Sequence, residues 1–333
     1  MEINKITHVI LTGGVGSRLW PLSRKTLPKQ YLELFEGESL FEKTVIRSLD
    51  MSNKTIVVGN IENYKMSNVI MSKFEKPFTH IVEAVPRNTA AAIAFAAFAS
   101  EPEDILLVTP SDHIIEGSEL YNNALRKAIE LANQDYLVTF GIKPTKPETG
   151  YGYIEFEGEN VIAFHEKPDS KTANTYLENG NYFWNSGLFC FKAGKFLSEL
   201  ENQEPEVFWA SKRAWEANQD GFLDYDLSLE IPSISIDYAV MERSNDIKVV
   251  PADFEWSDLG SFESVYDYLV QKDHPIDDNR NIVIGTSMHT TFIGVKNCIL
   301  IYTSDALMVL QKENSQEVKQ VYQQLESIAS PLL

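Results

Sequence analysis

The chain has 333 residues, 44% of them hydrophobic and 23% charged, which suits a packed core and excludes a disordered or fibrous protein. Its 29 Lys and Arg against 48 Asp and Glu give a formal net charge of −19, so general attraction to nucleic acid or to an anionic membrane is excluded. Cys190 and Cys298 lie in apolar runs and are predicted to be core thiols. With no apolar run of transmembrane length, the chain is expected to be cytoplasmic.

Five short apolar runs alternate with helical segments in the first half of the chain. They are typical of strands buried on both faces of a parallel sheet, and they span residues 7–12, 55–59, 79–84, 104–110 and 136–141. Ser39 and Glu42 predict a capping box at one helix start, and Asn88 is predicted to cap an Ala-rich helix after the third strand. This alternation predicts an open α/β sheet with right-handed crossovers.

The pattern becomes less regular after residue 150 and ends in a β-rich segment. The predicted elements are paired strands at 150–156 and 161–166, a helix at 170–179, a strand at 183–191, and helical stretches that include 238–244 and 261–271. Four further apolar runs predict short strands at 281–286, 290–295, 298–303 and 306–311. A helix is predicted at 315–328. Two domains are therefore expected, a large α/β domain at 1–276 and a small β-domain at 277–333.

The sharpest local signal is the segment LTGGVGSRLWPLSRKTLPKQ at 11–30. A buried strand leads into Gly13, Gly14 and Gly16, whose backbone can turn successive N–H groups toward an anion. Four cations follow in a chain that is otherwise strongly acidic: Arg18, Arg24, Lys25 and Lys29. The segment predicts a site for a small phosphate-bearing ligand, with Arg24 and Lys25 expected on a mobile lid or in solvent.

Two well-known phosphate loops do not fit this segment. A P-loop needs GxxxxGK[ST], which is absent here, and the dinucleotide fingerprint needs a third glycine that Gly14-Val-Gly16-Ser-Arg-Leu lacks. Pro21 and Pro28 also interrupt the helix that should follow a dinucleotide loop. The loop therefore belongs to another class.

Two aspartates are candidate metal ligands. Asp112 follows the strand that ends in Pro110, and Asp258 lies in WSDLGS. A polyphosphate needs its charge neutralised, and Mg²⁺ usually takes one or two carboxylates plus phosphate oxygens. His113 is expected to pack or to form a hydrogen bond. With no GxSxG motif and no catalytic-thiol pattern, the chemistry is expected to be phosphoryl-type transfer by positioning.

Seven motifs together resemble those of the sugar-nucleotide pyrophosphorylases. In chain order they are GGVGSRLWPLSRKTLPKQ, EAVPRNTAAAI, TPSDH, TGYGYIEF, HEKP, NSGLF and WSDLGS, which span about 1–272. The resemblance implies a Rossmann-like open mixed sheet flanked by helices, plus a small C-terminal β-domain similar to a short left-handed β-helix. Thr12 and Val15 depart from the usual pattern, in which alanine and a small polar residue are more common. They are expected to tune affinity.

The loop with RLWPLSR and PKQ most closely resembles family members that join GTP to mannose-1-phosphate. The implied reaction gives GDP-mannose and pyrophosphate by in-line attack on the α-phosphate, with Mg²⁺ as cofactor. The resemblance assigns catalysis to Arg18, Lys29 and Lys167, and metal binding to Asp112 and Asp258. It assigns nucleotide binding to Gly13, Gly14, Gly16, Ser17, Arg18, Glu83, Asn88 and Thr89. It assigns sugar-phosphate binding to Gly152, Glu166, Lys167 and Asn185.

The side chains alone leave base and sugar open. A pyrophosphorylase for another sugar-1-phosphate and nucleotide, or a non-catalytic nucleotide-sensing relative, are the alternatives. The presence of Arg18, Lys167 and both aspartates argues against a sensor, which could lose them. A homodimer is expected, since the apolar β-tail offers edges that could pair and dimers are the commonest assembly.

Overall fold

The computed structural model describes residues 5–34 and 37–333. Its strands are β1 Ile6–Thr12, β2 Lys54–Asn60, β3 Phe78–Glu83, β4 Ile105–Pro110, β5 Ile114–Glu116, β6 Leu137–Ile142, β7 Tyr153–Glu157, β8 Asn160–His165, β9 Tyr182–Lys192, β10 Ile247–Ala252, β11 Glu255–Ser257, β12 Ile282–Ile284, β13 Cys298–Tyr302 and β14 Leu307–Gln311.

The helices are α1 Leu40–Ser48, α2 Ile61–Met71, α3 Asn88–Phe98, α4 Ser118–Asn133, α5 Ser170–Asn179, α6 Ala193–Gln203, α7 Pro205–Glu216, α8 Tyr225–Leu229, α9 Phe262–Gln271 and α10 Val318–Ser327. Short 3₁₀ helices span Ser17–Leu19, Lys29–Tyr31 and Lys312–Glu317, and a π-helix spans Asp237–Met241.

The described residues form two compact units. The first includes the chain up to Gly13, with Thr44–Ser111 and Ile115–Trp256. The second comprises Gly14–Lys43, Asp112–Ile114 and Ser257–Leu333. The glycine-rich segment thus clusters with the C-terminal part of the chain. The domain division at 276 and 277 stays a prediction.

The first unit is built on a nine-stranded mixed sheet in the order β3-β2-β1-β4-β9-β6-β10-β8-β7. The five strands predicted for the first half are confirmed. Parallel pairing joins β1 to β2 and β4, β2 to β3, and β6 to β10, whereas β9 is antiparallel to both β4 and β6. Parallel pairing brings the carboxyl ends of β1 and β4 to one edge of the sheet, where the chain continues into Gly13 and Ser111.

The Ala-rich helix α3 shows why small residues suit this sheet. Every residue from Ala90 to Ala97 is buried, and together they belong to a core cluster that includes Val9, Ile56 and Leu106. The prediction that Asn88 caps this helix is wrong, because the residue before the helix is Arg87 and no side chain caps it. Asn88 is the first residue of the helix, has φ 72°, and accepts from the Thr89 N–H at 2.8 Å. An N-cap side chain would instead accept from the backbone N–H two or three residues further on.

A second core cluster of the first unit packs helix α4 against the sheet. It contains Tyr121, Leu125 and Phe140, all fully buried, and it includes Cys190. Cys190 is a free thiol, as is the buried Cys298 of the second unit, so the prediction of core thiols is confirmed. Burial raises the pKa of the Cys190 thiol well above its ordinary range, which makes it unreactive.

The second unit has its own core beneath three short strands. Strand β12 pairs parallel to β13, and β13 pairs antiparallel to β14. Helices α9 and α10 supply Phe262 and Tyr322 to this core. The strand predicted at 290–295 is wrong: Ile293 is 87% exposed, so its apolar run has no buried face to occupy. Ser39 accepts from the Glu42 N–H at 3.1 Å, which is one of the two hydrogen bonds of the capping box predicted at the start of α1.

Candidate functional site

The glycine-rich loop has the backbone of an anion-binding nest. Gly14 and Gly16 have φ of 79° and 75°, a left-handed conformation that other residues adopt only under strain. A Cβ on Gly16 would lie 2.5 Å from the Lys29 Cβ, so no side chain fits there. Among the described residues, no backbone acceptor takes the N–H groups of Gly14, Val15, Gly16 or Ser17. The loop therefore presents donors suited to phosphate oxygens.

A cavity of about 330 Å³ opens beside this loop within the second unit. Its lining residues are Gly14, Val15, Gly16, Ser17, Arg18, Leu19, Lys29, Asp112, His113, Asp258 and Gly260. Seven of the residues that the sequence assigned to nucleotide, catalysis or metal thus lie at one cavity. Arg18 is exposed and has no ion-pair partner among the residues described. Its guanidinium is therefore available to a bound anion.

Lys29 connects the two candidate metal ligands. Its side chain is only 5% exposed, and its ammonium lies 2.7 Å from Oδ2 of Asp112 while it also donates to the Asp258 carbonyl oxygen. Its own backbone N–H donates to the Val15 carbonyl at 3.1 Å, which ties it to the loop. Burying an ammonium is expensive unless a carboxylate faces it, so Asp112 and Lys29 depend on each other.

The charge of Asp112 is maintained by its neighbours. Burial works against ionisation of this carboxyl, but the charge and hydrogen bond of Lys29, with a contribution from His113, outweigh burial and lower its pKa. His113 Nε2 lies 3.8 Å from Oδ1 of Asp112. Asp112 is therefore an anion at neutral pH, as a metal ligand must be.

The donor set fits one Mg²⁺ that also binds phosphate. Asp112 and Asp258 both line the cavity, and Asp258 is oriented by the Gly260 N–H, which donates to its Oδ1 at 3.0 Å. The described residues contain no cluster of three or more His, Cys, Asp or Glu that could hold a metal by itself. Mg²⁺ sites in phosphoryl transfer commonly have one or two carboxylates, with phosphate and water supplying the remaining oxygens.

Trp20 and Arg24 fasten the glycine-rich segment to the end of the chain. Trp20 Nε1 donates to the Leu332 carbonyl at 3.0 Å, and Arg24 donates to the same oxygen. Arg24 also pairs with Asp305 at 2.7 Å, donates to the Pro21 carbonyl, and is only 12% exposed. The expectation of Arg24 on a mobile lid or in solvent is therefore wrong. The local sequence could not show this, because Asp305 and Leu332 lie far along the chain.

Replacing Arg24 with Ala is expected to raise the KM for the nucleotide about fivefold or more, because several charge-assisted hydrogen bonds that hold the loop are lost. Steady-state kinetics with nucleotide as the varied substrate measure this effect.

Lys25→Ala is the matched control for Arg24→Ala. Lys25 pairs with Glu326 at 2.8 Å, but both side chains are about half exposed, at 52% and 51%. Such a surface pair contributes little. Equal kinetics for the two variants would argue against a role of Arg24 in holding the loop.

The predicted sugar-phosphate residues also come together, within the first unit. Asn185 in β9 donates its backbone N–H to the Gly152 carbonyl at 2.8 Å. A Cβ on Gly152 would lie 2.6 Å from Oε2 of Glu166, so this glycine makes room for the carboxylate. Lys167 lies 2.8 Å from Oε1 of Glu166, is mostly exposed, and has φ 44°. Strained backbone is concentrated at functional sites, which makes Lys167 a candidate binding residue.

Sequence reasoning missed Asp237, which lies in the same group. Its Oδ1 accepts from Asn185 Nδ2 at 2.7 Å. Burial raises the pKa of Asp237, and the charge of Glu166 adds to this effect. In the sequence, IDYAVMER looks like an ordinary helix start and gives no signal for Asp237. The π-helix that begins at Asp237, a feature often found at functional sites, is visible only in the structure.

The segment with Glu83, Asn88 and Thr89, which the resemblance assigns to nucleotide binding, contains one unusual side chain. Glu83 ends β3, is 7% exposed, and its Oε1 has no hydrogen-bond partner among the described residues. Burial raises its pKa to about 7, against a smaller opposite effect of the Arg87 backbone N–H. By contrast, the Thr89 hydroxyl accepts from the Ile236 N–H at 2.9 Å, which indicates a structural role.

One cavity contains a glycine nest with a cation and two carboxylates, and a separate polar group lies on a mixed sheet. These features define a nucleotide-binding α/β enzyme. The family model described as nucleotidyl transferase matches residues 7–273, and the one described as MannoseP isomerase/GMP-like beta-helix domain matches 275–325. The chain therefore belongs to the nucleotidyl transferase family. The predicted enzyme class and fold class, with its β-helix-like C-terminal part, are confirmed.

Named relatives make this family match more specific. The xanthan biosynthesis protein XanB of Xanthomonas campestris pv. campestris (strain B100) is 40% identical over 98% of this chain and 74% of its own length. The mannose-1-phosphate guanylyltransferase RfbM of Salmonella typhimurium is 39% identical over 94% of this chain and 71% of its own. A solved protein from Thermus thermophilus, described as a mannose-1-phosphate geranyltransferase, has a TM-score of 0.84 at 29% identity, covering 97% of this chain and 99% of that one.

Among the described helices, none combines the length and the apolar character that crossing a membrane requires.

Proposed function

We propose that this chain transfers GMP from GTP to mannose-1-phosphate, giving GDP-mannose and pyrophosphate. The observation that carries the proposal is the cavity where the glycine nest, Arg18, Lys29 and two aspartates meet. Relatives described as mannose-1-phosphate guanylyltransferases, at 34 to 39% identity, support the substrate pair.

The attacking group in this reaction is an oxygen of the sugar phosphate, which is already an anion and needs no general base. The difficulty is bringing two anions together, since like unit charges 4 Å apart repel by about 4 kcal/mol at an effective dielectric constant near 20. Arg18 and the loop N–H groups would bind the phosphates and offset this repulsion. Lys29 would stabilise charge on the leaving pyrophosphate, and Lys167 would bind the sugar phosphate.

Asp112 and Asp258 would hold Mg²⁺, which supplies neutralisation of the triphosphate charge when bound. Lys29 keeps Asp112 ionised and oriented for this purpose through the 2.7 Å contact. Positioning and charge compensation, without a covalent enzyme intermediate, account for this kind of phosphoryl chemistry.

Glu83 is the residue we assign to recognition of guanine. Guanine presents two adjacent donors, N1–H and the exocyclic amine, and an ionised carboxylate can accept from both. Adenine offers no such pair at the corresponding edge. The Oε1 atom of Glu83, buried and without a partner among the described residues, is ready to accept such a donor. Asn88 shapes this segment through its bond to the adjacent Thr89 N–H, and Thr89 does so through the bond that its hydroxyl accepts from the Ile236 N–H far along the chain.

The KM for GTP is expected to fall about tenfold between pH 6 and pH 8. A raised pKa means that Glu83 is mostly neutral below that pKa, and with a value of about 7 the ionised fraction rises from ~10% to ~90% over this range. Steady-state kinetics across this pH range measure the change.

Glu83→Gln provides the control, because its amide never ionises and retains only one acceptor. We expect a higher KM for GTP that follows pH only as far as the γ-phosphate itself titrates. Identical pH profiles for the two proteins would remove Glu83 from base recognition.

Pyrophosphate release with Mg²⁺ tests the proposed function directly. GTP, ATP, UTP and dTTP are crossed with mannose-, glucose- and fucose-1-phosphates, and the GTP and mannose-1-phosphate pair is expected to dominate. A dominant signal from another pair would keep the mechanism and overturn the specificity. No release from folded protein with any pair would favour a nucleotide-sensing role instead.

The setting of this activity is also part of the proposal. The acidic chain, at −19, favours small-molecule substrates in the cytoplasm over nucleic acid or membrane partners.

We propose a homodimer, and β14 is the edge that supports it. This edge strand exposes Leu307 and Val309, at 61% and 58%, on one face.

A further inference from the structure

The amide of Asn185 is held at both ends by the protein. Its Nδ2 donates to Asp237 Oδ1 at 2.7 Å, and its Oδ1 accepts from the Gly187 N–H at 3.1 Å. These two bonds fix both the plane of the amide and the positions of its oxygen and nitrogen. One N–H and one lone pair then remain in defined directions, which suits a hydroxyl that both donates and accepts.

Asp237 is itself firmly placed. It begins the π-helix, and the Glu242 N–H donates to its backbone carbonyl at 2.8 Å. The preceding residue, Ile236, is fixed by its N–H donating to the Thr89 hydroxyl at 2.9 Å. The Asp237 carboxylate therefore reaches Asn185 from a rigid support.

This arrangement has an energetic cost that packing alone does not explain. A carboxylate is buried close to a second one, Glu166, and both effects raise the pKa of Asp237, while the hydrogen bond from Asn185 lowers it. Glu242 adds a third acidic group whose own pKa is raised by burial and by these neighbours. Costly polar arrangements that persist in a fold are concentrated at functional sites.

We propose that Asp237 is a positioning residue of the sugar-phosphate site, which orients the Asn185 amide toward the hydroxyl groups of the bound sugar. The inference rests on the proposed function, since it needs a sugar phosphate at Asn185. The two carboxylates favour the hydroxyl-bearing end of the ligand and disfavour its phosphate, which leaves the phosphate to Lys167.

Three variants test the hydrogen bond itself. Asp237→Ala is expected to raise the KM for mannose-1-phosphate about tenfold with the KM for GTP unchanged, because one orienting hydrogen bond is lost. Asp237→Asn keeps an acceptor for Asn185 and should stay within about twofold of the wild type. If Asp237→Ala does not fold, Asp237→Ser, too short to reach the amide, replaces it. Equal changes in both KM values, or none in any variant, would overturn the inference.

A double-mutant cycle asks whether Asp237 acts through Asn185. Once Asn185 is Ala, the further change Asp237→Ala should have little effect, since the coupled group is already gone. Full additivity would contradict the inference. Glu242→Gln is the matched control, because it removes a neighbouring charge without touching the amide, and it should not reproduce the selective rise in the KM for mannose-1-phosphate. If it reproduces Asp237→Ala, charge and not positioning is responsible.

The wild-type assay separates this inference from the function on which it rests. If the wild-type protein turns over no sugar phosphate, the proposed function fails. If it is active while Asp237→Ala has normal kinetics, only the role of Asp237 fails.

Discussion

Asp112→Ala is expected to lower kcat/KM at least about a hundredfold, which corresponds to ~2.7 kcal/mol of lost transition-state stabilisation. The variant would lose one of two candidate metal ligands and, at the same time, the partner of Lys29. With Lys29 only 5% exposed, its ammonium would be left with the Asp258 carbonyl. We therefore also expect the free energy of unfolding to fall by about 2 kcal/mol, less than the ~3–5 kcal/mol of a fully buried pair because Asp112 is partly exposed.

A double variant separates these two effects. Lys29→Met with Asp112→Leu removes both charges, so it should recover most of the stability and none of the activity. Thermal unfolding and pyrophosphate release are measured on the same preparations. Near-normal kcat/KM in folded Asp112→Ala would exclude Asp112 from the mechanism. Recovery of activity in the double variant would show that the pair has only a structural role.

Arg18→Ala is expected to cost a similar factor, at least about a hundredfold in kcat/KM, without any change in stability. Arg18 is exposed, lines the cavity and has no ion-pair partner among the described residues, so folding gains little from its charge. Its contribution should come from the phosphates of the nucleotide. Kinetics and melting temperature together measure both parts of this prediction.

Two further variants calibrate the result for Arg18. Arg18→Lys keeps the charge but not the planar fork, and we expect a loss of about tenfold. Arg126→Ala removes an exposed arginine of α4 that hydrogen-bonds only Asn123 among the described residues and should change nothing. If Arg18→Ala and Arg126→Ala behave alike, the proposed phosphate contact is wrong.

Much of the sheet could be predicted because its strands carry a strong local signal. Runs such as TIVVG and ILLVTP are short and apolar on both faces, which favours a buried strand over a helix. The order of the strands could not be predicted. Strand β9 lies antiparallel between β4 and β6 through contacts such as Leu107 with Cys190, which depend on residues far apart in the chain. The run at 290–295 failed for the same reason, since apolar character alone does not show whether a partner exists.

The residues of the candidate site could likewise be predicted where their signal is local, and could not where it depends on distant residues. Gly14, Gly16 and Lys29 were identified because loop chemistry is local, and the structure shows the left-handed backbone and close approach that require these glycines. Asp237 was missed because its partner, Asn185, is 52 residues away in the chain. The resemblance to a known family supplied the sugar-phosphate residues, which spacing alone did not reveal. Long-range hydrogen bonds are thus the part of the site that the sequence does not disclose.

The attachment of Leu332 has a practical consequence for producing the protein. Because its carbonyl receives hydrogen bonds from both Trp20 and Arg24, an affinity tag fused after Leu333 would begin immediately beside groups that hold the phosphate loop. Such a fusion is expected to weaken nucleotide binding even where the protein purifies well. Kinetic constants are therefore best taken from protein that carries no tag next to Leu332, and assays of tagged protein should include a cleaved sample for comparison.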